Sequence, residues 1–234
     1  MNKPLLNCLH EFRNYAQFIG YVEDELHIVD WVIWDAKLSD RANYLDYNRK
    51  GAEEGAIYYQ KLQQDALINS ITAEPGEIVT WIDTLRILYE ALIQTVLPAE
   101  VLDNLTIIQE YCIPFTHKRA DYILSYKNKM LILEFSFDNH DWLQYDTKLQ
   151  QVVGYKERLS VLCPSNIEIG SYVYIIKPES ISPNIQTKLP VNDKSTFALA
   201  QYIRIFFTKG VVNNATQQLY FLNADEKDVT KSIR

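Results

Sequence analysis

The chain has 234 residues, 47% of them hydrophobic and 23% charged, with a formal net charge of −7. That balance supports a packed core, in one generous domain or in a core domain with an appendage. The acidity excludes a non-specific binder that coats nucleic acid with its whole surface, but leaves room for a local basic groove around an acidic pocket.

The opening stretch "MNKPLLNCLHEFRNY" has too short an apolar run for a signal peptide. No run approaches the roughly 18 apolar residues of a bilayer span. A cytoplasmic protein without membrane contact is expected. Residues 24–36, "DELHIVDWVIWDA", are apolar, aromatic and β-branched, and read as one or two strands or a short buried helix. Residues 49–71 have helical composition. "TAEPGE" (72–77) contains Pro75-Gly76, which marks a turn and a boundary. Residues 1–78 therefore read as an N-terminal extension, the surface left for a protein partner or a second copy of the chain.

Beyond it, residues 79–97 place Ile82, Leu85, Leu88, Leu92 and Val96 at helical spacing, with Thr80 as a cap and Pro98 as a stop. Residues 105–113 and 119–126 read as strands. "KNK", centred on Asn128, is a hairpin turn into 130–137, a third strand apolar enough to lie inside its sheet. A helix over 141–162 follows, with Leu149, Val152, Val153 and Leu159 inward. A fourth strand (171–178), a loop (179–194), a helix (196–210) ended by Gly210, and a polar tail complete the chain. The core, 79–210, thus runs α-β-β-β-α-β with one more helix, an α/β fold with a mixed sheet flanked by helices. Residues 211–234 form the C-terminal segment.

Cys8, Cys112 and Cys163 lack metal-ligand spacing, and Cys112 and Cys163 read as small buried apolar residues. His10, His27, His117 and His140 show no metal-binding pairing. Chemistry concentrates instead in "RADYILSYKNKMLILEFSF" (119–137). Asp121 opens one strand, and Glu134 interrupts the apolar run Met130–Leu133 of the next. A carboxylate in such a run is costly unless it is paired or binds a cation. Ile132, Glu134 and Ser136 share one face. On the following helix Lys148, Gln151 and Tyr155 form one stripe that looks onto the acids if the helix packs over that face. Two convergent carboxylates suit Mg²⁺ or Mn²⁺, hard cations that prefer oxygen ligands. Such a site can generate hydroxide and clamp a leaving phosphodiester oxygen.

The element order, the Asp of the second strand and the apolar-flanked Glu of the third resemble the PD-(D/E)XK nuclease superfamily over about residues 79–178. "QVVGYKERL" adds Gln151-x-x-x-Tyr155, similar to the Gln-x-x-x-Tyr motif of RecB-like members, and "EYCIPFTHKRADYIL" is similar to bacterial nuclease-like domains with "EY-x-x-P" followed by "R-x-D". The resemblance implies a restriction-endonuclease-like core, a Mg²⁺ (or Mn²⁺) ion on Asp121 and Glu134, and nucleic acid, DNA first, as partner. It implies that Gln151 and Tyr155 support the site and meet the strand. The further acid of the family's first helix maps to Glu90, with Glu110 as rival.

The family's lysine is replaced by Ser136, whose hydroxyl can hold a water but carries no charge. Either Ser136 suffices, or Lys148 supplies the charge, or the site has lost its chemistry and only binding remains. Structural readings stand beside these. Glu134 could pair with Arg119, and Asp121 could cap a turn or pair with Lys118. Gln151 and Tyr155 could edge an ordinary helix, Glu90 could be solvated, and "THKR" (116–119) could meet phosphate or simply turn the chain. The expected function is a metal-dependent nuclease. The alternatives are a degraded nuclease-fold module that binds nucleic acid or a protein, and a purely structural domain.

Overall fold

The computed structural model describes residues 7–26, 53–137, 142–176 and 193–208. Among these residues five strands form one mixed sheet in the order β1-β2-β3-β4-β5: β1 (His10–Phe12), β2 (Thr106–Cys112), β3 (Arg119–Tyr126), β4 (Lys129–Phe137) and β5 (Glu168–Ile176). The first four are antiparallel neighbours, and β5 runs parallel to β4. The β4–β5 link is therefore a crossover, and its helix, α5 (Trp142–Leu162), covers one face of the sheet. The other helices among the described residues are α1 (Tyr15–Gly20), which runs into a π-helical turn (Tyr21–Glu25), α2 (Glu53–Ile68), α3 (Pro75–Gln94), α4 (Ala99–Asn104) and α6 (Asp193–Thr208). No described helix is long and apolar enough to cross a membrane.

Strand alternation sorts the core into two layers. Ile107, Leu124, Leu131, Leu133 and Phe135 face Ile82, Leu85 and Leu88 of α3 and Leu199, Ile203 and Phe206 of α6. Ile108, Ile123 and Ile132 face Val152, Tyr155 and Leu159 of α5. The first layer also takes in Leu9, Phe12, Phe18 and Leu62, so described residues from the predicted extension share the main core, and β1 is an edge strand of the same sheet.

Several boundaries differ from the sequence expectation for physical reasons. Pro75-Gly76 do not end a turn but begin α3: proline lacks the amide that a first helical turn leaves unbonded anyway. Glu74 and Glu77 close a reciprocal capping box there, with Glu74 N–H donating to Glu77 Oε2 at 2.8 Å, and Thr80 lies inside the helix rather than capping it. Pro98 starts α4 rather than only stopping a helix. Val153 is half exposed and turns away from the sheet, and Tyr155 takes an inward place beside Val152 and Leu159. β5 begins three residues before the predicted Ser171, and α6 ends at Thr208. Gly210, residues 27–36, most of the 179–194 loop and the tail lie outside the described residues.

The hairpin joining β3 and β4 turns on Lys127 and Asn128, with Lys127 left-handed at φ 52°. Asn128 ties the turn to the start of β5, since its carbonyl accepts from Glu168 N–H at 2.8 Å. On β5, Gly170 sits against Phe206, and a Cβ there would lie 2.6 Å from the ring. Gly170→Ala is expected to cost about 1–3 kcal/mol, the usual penalty for overpacking a filled core. Denaturant unfolding would show the drop, and an unchanged midpoint would mean that α6 does not seat Phe206 on this strand.

Candidate active site

The site lies where the β3–β4 ladder ends. Paired residues run from Tyr126↔Lys129 to Tyr122↔Leu133 and then stop, just short of Asp121 and Glu134. Beyond that point β3 stays with β2 and β4 with β5, so the two strands part. The carboxylates take up the interstrand hydrogen bonding: Asp121 N–H donates to Glu134 Oε1 at 3.1 Å, and Phe135 N–H donates to Asp121 Oδ2 at 2.7 Å. Each acid is thus fixed by the backbone of the other's strand.

The α5 stripe closes over them. Lys148 Nζ donates to Glu134 Oε2 at 2.7 Å and lies 3.7 Å from Asp121 Oδ2, so one ammonium touches both acids. Gln151 Nε2 donates to Glu134 Oε2 at 3.3 Å and also bonds Tyr155 OH. Tyr155 OH donates to the Arg119 carbonyl at 3.1 Å, anchoring the helix to the first residue of β3. Glu134 is fully buried, and the Asp121 side chain retains 20% exposure.

A third acid stands in the same row. The pairs Gln109↔Tyr122 and Tyr111↔Ala120 place Glu110 opposite Asp121, although those two are not themselves a paired position, and Glu110 is left-handed at φ 53°. That conformation is uncommon for a residue with a Cβ. It reverses the alternation of β2: Ile107 faces the α3 layer and Ile108 the α5 layer, whereas Tyr111 packs toward the α5 layer and Cys112 toward the α3 layer. Glu110 is buried and accepts from Arg119 Nε at 2.8 Å. Arg119 spans onward to Glu77 Oε1 at 2.9 Å and to the Thr72 carbonyl at 2.9 Å, tying the start of α3 to the start of β3.

The structure therefore gathers Asp121, Glu134, Lys148, Gln151 and Tyr155 into one network. Glu134 pairs with Lys148 and not with Arg119, and Asp121 with Lys148 and not with Lys118. Ser136 is buried two residues beyond Glu134, and the positive charge beside the acids comes from Lys148. Glu90 pairs with Arg86 one helical turn away at 2.9 Å, and the acid that reaches this row is Glu110. Arg119 as a bridge between Glu110 and Glu77 escaped sequence reasoning. Its only signal was an arginine two residues before an acid in an otherwise apolar strand.

Burial is the largest influence on all three acids. It raises Glu110 from 4.5 to about 8, with Asp121 adding to the rise and Arg119 opposing it. It raises Glu134 to about 7, with Asp121 adding and Lys148 opposing. Asp121 is raised as well, against the pull of Lys148. For Lys148 burial works downward, but Asp121 and Glu134 outweigh it and the ammonium is held above its ordinary value. The donor chemistry fits a hard divalent cation: the oxygens are carboxylate, and Asp121 Oδ1 accepts no hydrogen bond from the described residues. Among those residues no group of three or more His, Cys, Asp or Glu side chains is arranged to hold a metal. A cation would rest on Asp121, Glu134 and solvent, the sparse protein ligation that Mg²⁺ commonly accepts.

Comparison with protein-family models, curated proteins and solved structures finds no match to this chain.

The raised acids fix the sign of the pH dependence. Between the ordinary 4.5 and about 8 the folded chain holds more protons on Glu110 and Glu134 than the unfolded chain does. Stability should therefore fall as pH rises through that window, and metal-free protein should unfold at lower denaturant at pH 8.5 than at pH 5.5. Glu134→Gln, which keeps the shape without the charge, should flatten the dependence. A midpoint that climbs with pH would contradict these environments.

Proposed function

We propose that the chain is a metal-dependent nuclease, hydrolysing phosphodiester bonds of nucleic acid, DNA first, on a PD-(D/E)XK-like core. The observation that carries this is the Lys148 ammonium 2.7 Å from Glu134 and 3.7 Å from Asp121, in the row that also holds Gln151 and Tyr155. It supports the reading in which the lysine missing at Ser136 is supplied from α5. The run α3-α4-β2-β3-β4-α5-β5, with β5 parallel to β4, contains the expected core order with the six-residue α4 inserted between the first helix and the first strand.

Asp121 and Glu134 would hold Mg²⁺ or Mn²⁺, with Glu110 rather than Glu90 as the third acid of the row. When bound, the ion would lower the pKa of a water and stabilise charge on the phosphoryl oxygens. The residues of the chain do the rest. Lys148, which reaches both acids from α5, would present a positive charge to the attacking water and to the phosphate. Gln151 holds Glu134 in place, and Tyr155 fixes Gln151 against β3. Arg119 keeps Glu110 and the start of β3 in register. Ser136 contributes a hydroxyl without charge.

One feature favours a second reading, a nuclease-fold module that binds without cutting. Glu134 is fully buried, with Oε1 taken by Asp121 N–H and Oε2 by Lys148 and Gln151. There the ammonium would be the permanent counter-ion of the acid pair.

Cleavage separates the two. Plasmid, single-stranded DNA and RNA are incubated with Mg²⁺ or Mn²⁺ and the folded variants Asp121→Ala, Glu134→Gln and Lys148→Ala. The nuclease reading expects chelator-sensitive cleavage, lost in the acid variants and reduced about 10²–10³-fold in Lys148→Ala, the range for removing one transition-state charge partner. Calorimetry should show Mn²⁺ binding that Asp121→Ala abolishes. Cleavage that survives Glu134→Gln would reject the assignment. Absence of cleavage, with nucleic-acid binding unaffected by chelator, would establish the binding module.

A further inference from the structure

The β2–β3 loop, residues 113–118, reads "IPFTHK", and Phe115 at its tip is 87% exposed. An exposed aromatic alone means little, but this one sits on a rigid support. Ile113 N–H donates to the Lys118 carbonyl at 2.9 Å, and Thr116 N–H donates back to the Ile113 carbonyl at 3.2 Å. The Thr116 hydroxyl donates to Ile113 O at 2.8 Å and accepts from Lys118 N–H at 3.1 Å. Arg158 of α5 reaches the Pro114 and Phe115 carbonyls at 3.4 Å each.

Phe115 itself is left-handed, at φ 61°. Glycine takes that conformation at no steric cost, and a bulky side chain pays for it. The ring is thus held out in solvent at a position where the turn alone would favour its removal. Strain of this kind, on an over-determined loop, is a reason to look for function.

Its neighbours are cationic. Lys118 and His117 are exposed beside it, and Arg158 lies beneath it. Among the described residues neither Lys118 nor Arg158 makes an ion pair, whereas Lys61, Arg86, Arg119, Lys127 and Lys148 each hold a carboxylate. In a chain of net charge −7, these two cations remain available beside an exposed ring. The loop is also coupled to the acids: Lys148, Gln151, Tyr155 and Arg158 follow one ridge of α5, and Arg119, the residue after the loop, bonds Tyr155 through its carbonyl. From Lys148 to Arg158 the helix rises about 15 Å, a few nucleotides of a strand.

We infer that Phe115 is a stacking platform for an unpaired base of single-stranded nucleic acid, with Lys118 and Arg158 meeting the adjoining phosphates. The inference rests on the nuclease reading and names its substrate class. A ring on a cationic, preformed support stacks on any base because every base has a π-face, and a duplex buries those faces. The platform would hold the strand at one end of α5 while Asp121 and Glu134 act near the other.

The test uses the full chain and fluorescence anisotropy of labelled 20-mers: single-stranded DNA, single-stranded RNA and a DNA duplex, at one fixed salt concentration in EDTA. The variants are Phe115→Gly, Phe115→Ala and Phe115→Trp. Phe115→Ala and Phe115→Gly should weaken single-strand binding about 5- to 150-fold, the worth of one stacked base. Duplex affinity should stay within about twofold, and Phe115→Trp should restore binding, with its indole emission quenched by the oligonucleotide. The DNA and RNA arms show which strand is preferred. Phe115→Gly should melt no lower than the parent, because it relieves a left-handed residue; a merely structural ring would melt lower.

Metal-dependent hydrolysis of bis(p-nitrophenyl) phosphate is measured alongside. It should be unchanged in Phe115→Ala and lost in Glu134→Gln. Hydrolysis without a Phe115 effect on strand binding overturns the platform alone, and strand binding through Phe115 without hydrolysis overturns only the nuclease reading. Absence of single-strand affinity in the parent, or Phe115→Ala converting a dimer to a monomer with strand binding unchanged, overturns the platform.

Discussion

The candidate site depends on one contact, the Lys148 ammonium shared by Asp121 and Glu134. Two carboxylates brought together under a helix lose hydration, which raises both, and the charge of Asp121 raises Glu134 further. A cation must stand between them for the arrangement to persist with both acids ionised. In the structure that cation is a lysine from the crossover helix; in the proposed catalytic state a divalent ion joins it. The packing of α5 on the sheet is therefore an electrostatic requirement as well as a hydrophobic one.

The architecture supplies the geometry around that contact. A parallel β5 obliges a crossover, and the crossover lays α5 across β3 and β4 where they separate. The separation is what frees Asp121 and Glu134 to exchange backbone hydrogen bonds instead of closing another rung of ladder. Glu110 brings a third acid in from β2, where it stands left-handed opposite Asp121 at a position that leaves the paired register. Arg119 then makes the buried acid tolerable and links it to the capping box of α3 through Glu77.

Much of this was legible in the chain, because burial leaves a pattern. The span 119–126 matches β3, where Tyr122, Leu124 and Tyr126 enter one apolar layer and Ile123 the other. Glu134 stood out because a carboxylate inside Met130–Leu133 and Phe135 requires a partner, and the i, i+3, i+7 stripe of Lys148, Gln151 and Tyr155 named candidates for it. What stayed hidden is short or conformational. β1 has three residues and α4 six, too few for periodicity. Pro75-Gly76 look like a breaker in a string of letters and serve as a helix start in space. The left-handed states of Glu110 and Phe115 carry no glycine to betray them. Glu90 was the natural acid of a first helix, but Arg86, four residues earlier, holds it.

The most direct measurement is an anomalous difference map from crystals soaked in Mn²⁺ at pH 8, where Glu134 is largely ionised. The expected result is one peak within about 2.0–2.3 Å of an oxygen from each of Asp121 and Glu134, with Lys148 Nζ displaced from Glu134. A map without a peak there, with the ammonium still bridging both carboxylates, would contradict the claim that these acids are built to bind a divalent ion.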